Sequence, residues 1–195
     1  MTSKNLFCVP LIGDQVPEDL ANKYWTQIGE QIETLQRIYG NISSLYHEAN
    51  DSPDDEGLRH LQAINQKGFQ FIRKVAESGG KVEALEDRQT FLQIIDCQVF
   101  LSLGFLSKEI SQKVASITAE ILEAYKKAVE SRRRHIVERI SQTLKEGQTG
   151  LLMINDDERM QLQFPLDINI ILVRPPLLSE IERWEREKNT TVGRK

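Results

Sequence analysis

The chain has 195 residues, of which 39% are hydrophobic and 28% charged, and its formal net charge is −4. These proportions are typical of a soluble globular protein and argue against a disordered or fibrous class. The acidic balance does not favour a general binder of nucleic acid or of anionic membranes.

The first 50 residues predict a strand, a helix and a second strand. The run 5–12 is apolar and ends at a Gly-Asp pair, which is typical of a buried strand. After Pro17, apolar residues recur three and four apart, as on one helical face, until a helix stop at Gly40. Residues 42–46 then read as a second strand. Such a βαβ unit is nearly always a right-handed crossover between parallel strands.

The middle of the chain predicts three helices. Helical spacing of apolar residues indicates one helix over 58–75, which ends at a Gly-Gly pair, and another over 82–99. A third pattern runs over 107–146 and would be ~60 Å long as a single helix. A compact domain of this size has a radius of gyration of only ~16 Å. The third helix must therefore either break, or project and be covered by a partner chain.

The C-terminal part returns to an α/β pattern. Residues 150–154 and 168–173 are short apolar runs of strand type, and the segment between them has room for a short crossover only. A last helix is predicted over 177–187, and 189–195 are expected to form a flexible tail.

The four predicted strands are thus divided two and two by a long helical stretch. We therefore predict a single α/β domain over 1–188. It consists of a small, mostly parallel sheet of about four strands flanked by helices, with a large helical insertion over about 55–146 after the second strand.

The common cofactor-binding and catalytic signatures are missing from the sequence. There is no GxGxxG, no Walker A loop, no GxSxG elbow and no HExxH. The segment "SGGKV" joins two predicted helices, so it is interpreted as a helix stop and not as a phosphate-binding loop. Three histidines and two separated cysteines give no zinc-ligand spacing. The sequence therefore predicts no metal site and leaves any cofactor unknown.

Polar residues follow every predicted strand at its carboxyl end, where ligands bind in open α/β sheets. They are Asp14 after the first strand, His47 and Glu48 after the second, Asp156, Asp157 and Glu158 after the third, and Arg174 after the fourth. Carboxylates with a histidine can hold a divalent cation or perform acid–base chemistry. The alternative is that strand exits are polar in any protein, and that Asp156 and Asp157 cap a short helix.

Three consecutive arginines, 132–134, lie within the third predicted helix. Arg133 follows Val129 by four residues and precedes Ile136 by three, which places it on the apolar face, with Arg132 on its edge. Three interpretations stay open. The stem packs while the guanidinium reaches solvent or a carboxylate; the helix breaks here; or an arginine reaches the acidic strand ends or an anion. Interspersed glutamates disfavour a nucleic-acid stripe.

The segment "RRRHIVERISQTLKEGQTGLLMINDDERMQLQFPLDINIILV" resembles part of a family of uncharacterised bacterial and archaeal proteins, and is distantly similar to TraB-type proteins. The matching residues are Arg132, Ile136, Arg139, Ile140, Thr143, Leu144, Gly147, Thr149, Gly150, Pro165, Asp167 and Ile168. Three positions depart from the pattern: Arg133 replaces an aspartate, and Glu158 and Gly13 replace histidines. The resemblance implies an α/β fold and supplies no activity.

The sequence therefore predicts a cytoplasmic α/β protein that binds a ligand or a partner, with no inferable catalysis. The residues expected to bind are Arg132, Arg133, Arg139, Asp156, Asp157 and Arg174. The alternative is a hydrolase-like enzyme, with or without a divalent metal, that uses Asp14, His47, Glu48 and Glu158. The long helix predicts a homo-oligomer. The short N-terminal apolar run is not a signal peptide, and no apolar segment has the ~20 residues of a membrane span.

Overall fold

The computed structural model describes residues 4–104 and 107–192, with side chains up to Lys188. Within these residues five strands and seven helices are formed. The strands are β1 (Lys4–Pro10), β2 (Ile42–His47), β3 (Lys81–Val82), β4 (Thr149–Ile154) and β5 (Ile168–Leu172). The helices are α1 (Glu18–Tyr39), α2 (Asp54–Ile64), α3 (Phe69–Glu77), α4 (Arg88–Leu101), α5 (Lys108–Thr143), α6 (Asp156–Gln161) and α7 (Leu177–Val192).

All five strands are parallel and lie in one sheet in the order β3-β2-β4-β1-β5. The predicted α/β fold with a long helical segment after the second strand is confirmed. Because β4 lies between β2 and β1, His47 is level with Met153 and Pro10 is level with Ile154. The exits of these three strands are therefore neighbours at one edge of the sheet.

Side chains of the central strands alternate between two hydrophobic cores, as the two-residue period of a strand requires. On one face, Phe7, Leu45 and Leu151 pack with α1, α3 and α7. On the other face, Leu6, Tyr46 and Leu152 pack with the C-terminal half of α5, through Ile136, Ile140 and Leu144. Burial on both faces explains why β1 and β4 contain continuous apolar runs in the sequence.

Two predicted boundaries in the middle of the chain are wrong. The single helix expected over 58–75 is two helices, because α2 ends at Ile64 and α3 begins at Phe69. The turn between them is fixed by Gly68, whose N–H donates to the Asn65 side chain at 2.9 Å. A Cβ on Gly68 would lie 2.8 Å from the Trp25 ring, so only glycine fits here.

The "SGGKV" segment continues into a strand, which the sequence did not predict. β3 has only two residues, Lys81 and Val82, and pairs with Ser44 and Leu45 of β2. The helix predicted over 82–99 accordingly begins later. α4 starts after Asp87, whose carboxylate accepts a hydrogen bond from the Thr90 N–H at 2.8 Å.

The sequence predicted the second middle helix from five apolar residues, of which Val82 and Leu85 are buried and precede α4, and the three within α4 are exposed. Leu92, Ile95 and Val99 are 50%, 40% and 59% exposed, whereas Ile94 and Cys97 are buried. The physical reason is that α4 packs against α5 and not against the sheet. α4 thus has apolar side chains on two faces, and periodicity alone does not tell which of them is covered.

Helix α5 is unbroken over 36 residues, a length of about 54 Å. Its C-terminal half packs on the sheet, and its N-terminal half contacts α4 and is otherwise exposed. α7 runs to Val192, beyond the start of the predicted tail, and residues 193–195 lie outside the described part. None of the helices in the described ranges is long and apolar enough to cross a membrane.

Candidate functional site

The loops that leave β2 and β3 are joined by Asn50, which is fully buried. Its side-chain amide donates to the carbonyls of Glu83 and Ser52 at 3.0 and 2.8 Å. Its backbone carbonyl accepts the N–H groups of Leu85 and Glu86 at 2.8 and 3.0 Å. Asn50 therefore fixes the two strand exits relative to each other, and with them the carboxylates that both loops carry.

Arg132 of α5 meets the β3 exit in a buried ion pair with Glu86. Its Nε lies 3.0 and 2.9 Å from the two Glu86 carboxylate oxygens, and its Nη2 also donates to Oε1. The Glu86 side chain is 1% exposed and that of Arg132 is 12% exposed. The N–H of Ala49 donates to Glu86 at 3.1 Å, and the Arg132 guanidinium lies over the Phe91 ring. Every polar atom of the pair is thus close to a partner.

Two further glutamates lie around the same guanidinium. Glu48 Oε2 and Glu158 Oε2 are each 3.8 Å from an Arg132 nitrogen. Glu158, in the first turn of α6, accepts hydrogen bonds from Arg133 Nε and Nη2 at 3.2 and 2.9 Å. We call these five residues, Glu48, Glu86, Arg132, Arg133 and Glu158, the carboxylate–arginine cluster. It joins the exits of β2, β3 and β4 to α5.

This geometry distinguishes the interpretations of the arginine run. Arg133 pairs with a carboxylate at the strand edge, and the helix does not break there. Arg132, expected at the edge of the apolar face, is the more deeply buried of the two. The reason is that the row of α5 facing the sheet has a spacing of four, through Ala128, Arg132, Ile136 and Ile140.

Glu48 differs electrostatically from the other two carboxylates of the cluster. Burial raises the pKa of its carboxyl above the ordinary glutamate value, while the Asn155 N–H and the Arg132 charge act in the opposite direction. Its contact with Arg132 is 3.8 Å long, whereas Glu86 and Glu158 each accept arginine hydrogen bonds near 3 Å. Glu48 is therefore the carboxylate whose charge is least compensated.

His47 contacts the opposite side of the β2 exit. Its Nδ1–H donates to the Glu48 carbonyl, and its Nε2 lies 3.0 Å from the Asn65 amide nitrogen, which donates to it. The residue is 3% exposed, and burial lowers the pKa of the imidazole to about 4. The ring is consequently neutral at pH 7, and both of its nitrogens are engaged within the fold.

A second ionic group lies beside the β5 exit. Asp156 accepts hydrogen bonds from Arg159 at 2.8 Å and from Arg174, and Arg174 also contacts Glu182 of α7 at 3.0 Å. Burial opposes ionisation of Asp156, but the two arginines outweigh it and lower the pKa of its carboxyl. This group ties α6 and α7 to the sheet.

The remaining predicted residues lie apart from both groups. Asp14 is exposed, and its backbone carbonyl accepts from the Lys67 ammonium. Asp157 is exposed too, and the residue that caps α6 is Asn155, whose side chain accepts the Asp157 N–H at 2.9 Å. Arg139 donates to the Ala84 carbonyl at 3.2 Å, next to the β3 exit.

Glu86 is the cluster residue that sequence reasoning did not find. It lies four residues after β3, so it follows the same strand-exit rule as the other candidates. The signal was hidden because β3 has only two residues and was read as part of a helix. Recognising the strand "KV" would have placed the segment "EALED" at the sheet edge.

Together, the fold and this edge define an open, parallel α/β protein with a buried ionic site at the carboxyl ends of its strands. Within residues 4–104 and 107–192, no three or more His, Cys, Asp or Glu side chains are arranged to hold a metal ion. Comparisons with protein-family models, with curated proteins and with solved structures give no match. The resemblance to TraB-type proteins therefore stays a prediction.

Proposed function

We propose that the protein binds a ligand at the carboxyl edge of its sheet, and that Glu48 is the residue that contacts it. The cluster contains three carboxylates and two guanidinium groups, so it carries one net negative charge when Glu48 is ionised. A ligand group with positive charge or several N–H donors would compensate this charge. The observation that carries the proposal is that Glu48 is the least compensated carboxylate of the cluster.

The direction of the Glu48 pKa adds a second argument. A buried carboxyl that resists ionisation gains free energy when a cation or hydrogen-bond donor stabilises its charged form. Binding of such a group should therefore lower the pKa of Glu48 and favour release of its proton. An anionic ligand would not be stabilised in this way, because both arginines already pair with carboxylates and Glu48 would repel it.

The test is a thermal-shift titration of the full chain with two sets of probes. The cationic set is agmatine, spermidine and arginine methyl ester, and the anionic set is citrate and inorganic phosphate. A ligand of the folded state raises the melting temperature by mass action. We expect a rise with at least one cationic probe, loss of that rise in Glu48→Gln, and an unchanged rise in Glu77→Gln, which alters an exposed glutamate at the end of α3. A rise that persists in Glu48→Gln would contradict the proposal.

Acid–base catalysis is a second candidate function, favoured by the same raised pKa. Glu48 and Glu158 are both 3.8 Å from the Arg132 guanidinium, so two carboxyls, of which Glu48 has a raised pKa, lie around one cation. Such a pair divides acid and base roles between two groups. Hydrolysis of chromogenic esters, phosphoesters and glycosides, lost in both Glu48→Gln and Glu158→Gln, would support this function over binding alone.

A cytoplasmic location is part of the proposal. Cys8 and Cys97 are both free and buried, and burial raises the pKa of the Cys8 thiol to about 12. Such thiols behave as small hydrophobic side chains and are stable in a reducing compartment. Fractionation of cells that express the full chain would test this location.

A further inference from the structure

The hairpin formed by α4 and α5 carries most of the exposed apolar surface of the described residues. Of twelve large hydrophobic side chains that are exposed there, seven lie between positions 92 and 122. Isolated exposed apolar residues are ordinary, but a concentration of this kind marks an interaction surface. Ile110 and Ile117, on the N-terminal half of α5, are 42% and 47% exposed.

One row of this half-helix has a spacing that reads the same in both directions. Ile110, Val114, Ile117 and Ile121 are separated by four, three and four residues. Val114 and Ile121 are half-buried, so Ile110 and Ile117 are the most exposed residues of the row. In an antiparallel pair of such helices, Ile110 would lie level with Ile121 of the second copy, and Val114 with Ile117. This is the layer pattern of a coiled coil.

The charges that flank the row are complementary in the same register. Lys113 and Glu120 are seven residues apart and lie on the same side of the row. Antiparallel pairing brings Lys113 of one copy to Glu120 of the other, and the two-fold symmetry repeats the contact. Parallel pairing would instead place Lys113 level with Lys113. Within the described residues, Lys113 forms an exposed ion pair with Glu109 at 2.7 Å. Such a surface pair is weak, so Lys113 can pair with Glu120 of a second copy instead.

We propose that the N-terminal half of α5 binds a second copy of this chain, antiparallel, with Ile110 and Ile117 in the contact and Lys113 paired with Glu120. The row from Ile110 to Ile121 is about 17 Å long, so the interface is small and we expect an affinity in the micromolar range. The occupant is a second copy because the row and its charges complement themselves. The inference is independent of the ligand site at Glu48.

The test is sedimentation velocity of the full chain from low micromolar to several hundred micromolar concentration. The unaltered chain should show a monomer–dimer equilibrium. Lys113→Glu and Glu120→Lys should each weaken the dimer about tenfold or more, because two contacts become repulsive at once. The double variant Lys113→Glu/Glu120→Lys should restore the affinity to within about threefold of the original, since the pairing is only reversed.

Two matched variants, each replacing an exposed apolar residue by glutamate, test which helix forms the dimer surface. Ile117→Glu on α5 should give a monomer, whereas Val99→Glu on α4, at a position that is also exposed, should leave the dimer intact. Circular dichroism of each variant shows that the fold is kept. A monomer at every concentration, a double variant that stays weak, or a dimer lost in Val99→Glu and kept in Ile117→Glu would each overturn the proposal.

Discussion

Arg132 and Glu86, 46 positions apart in the chain, form a buried ion pair in which one Nε lies 3.0 and 2.9 Å from the two carboxylate oxygens. The pair connects the sheet-facing row of α5 to the exit of the shortest strand. Because the Glu86 side chain is almost fully buried, its negative charge depends on the guanidinium beside it. The Arg132–Glu86 ion pair therefore holds α5 against the exit of β3, and it is also the electrostatic centre of the candidate site.

Removing only the arginine from this pair should be strongly destabilising. In Arg132→Met the Glu86 charge is left buried without its main partner, and loss of one member of such a pair costs about 3–5 kcal/mol. The free energy of unfolding, measured by urea denaturation at pH 7, should fall by that amount. The double variant Arg132→Met/Glu86→Met should recover a large part of the loss, since no charge remains buried.

The neighbouring arginine should behave differently under the same measurement. Arg133 and Glu158 are each 29% exposed, so their ion pair is partly solvated. We expect Arg133→Leu to change the free energy of unfolding by about 1 kcal/mol or less. Equal losses in Arg132→Met and Arg133→Leu would contradict the assignment of Arg132 as the buried member of the run.

The difference between these two arginines shows where sequence reasoning stopped. Arg133 lies four residues after Val129 and three before Ile136, and this spacing predicted that it is on the apolar face. Arg132 lies four residues before Ile136 and eight before Ile140, and this second spacing places Arg132 on the apolar face instead. Both rows exist on every helix. Which row faces the sheet is decided by how α5 crosses it, and this crossing is a tertiary property that local periodicity does not contain.

The central fold, by contrast, could be predicted because its signals are local and strong. Short apolar runs predicted β1, β4 and β5, and the segment Ile42–Tyr46 predicted β2. The positions after β2 and β4 then gave Glu48 and Glu158. β3 was missed because two residues carry no period, and Glu86 was missed with it. The helix α4 was predicted, but its start and its buried face were not, because Leu92 and Val99 are exposed while Ile94 and Cys97 are buried.

Two glycines in helices should respond to alanine in opposite directions. A Cβ on Gly57 of α2 would lie 2.2 Å from the Ser52 carbonyl oxygen and 2.9 Å from Val82, so Gly57→Ala must displace backbone. We expect a loss of about 2–4 kcal/mol in the free energy of unfolding. Nothing lies within 4 Å of a Cβ on Gly29 of α1, and Gly29→Ala should stabilise by about 1 kcal/mol through helix propensity.

Urea denaturation at pH 7 checks this pair of variants directly. Gly29→Ala is the control for the substitution itself, because it makes the same chemical change in open space. If both variants were destabilised to the same extent, the close approach of α2 to the Ser52 carbonyl would not be the cause of the Gly57 loss.

The buried imidazole of His47 should make the protein sensitive to mild acid. Burial lowers the pKa of His47 from 6.5 to about 4, so between these values the unfolded chain binds a proton that the folded chain excludes. The stabilising contribution is complete above pH 6.5 and is lost as the pH falls towards 4, with a total of about 3 kcal/mol. Glu48, whose pKa is raised, acts with the opposite sign at pH values above its ordinary range.

Comparison with His47→Gln isolates the histidine from Glu48 and from the other titrating groups. Glutamine can still contact Asn65 but takes up no proton in this range. We expect the free energy of unfolding of the unaltered protein to fall between pH 7 and pH 4.5 by about 2–3 kcal/mol more than that of His47→Gln. Parallel pH profiles for the two proteins would contradict the assignment of His47 as a buried neutral ring. They would show that protonating the ring does not lower the free energy of unfolding.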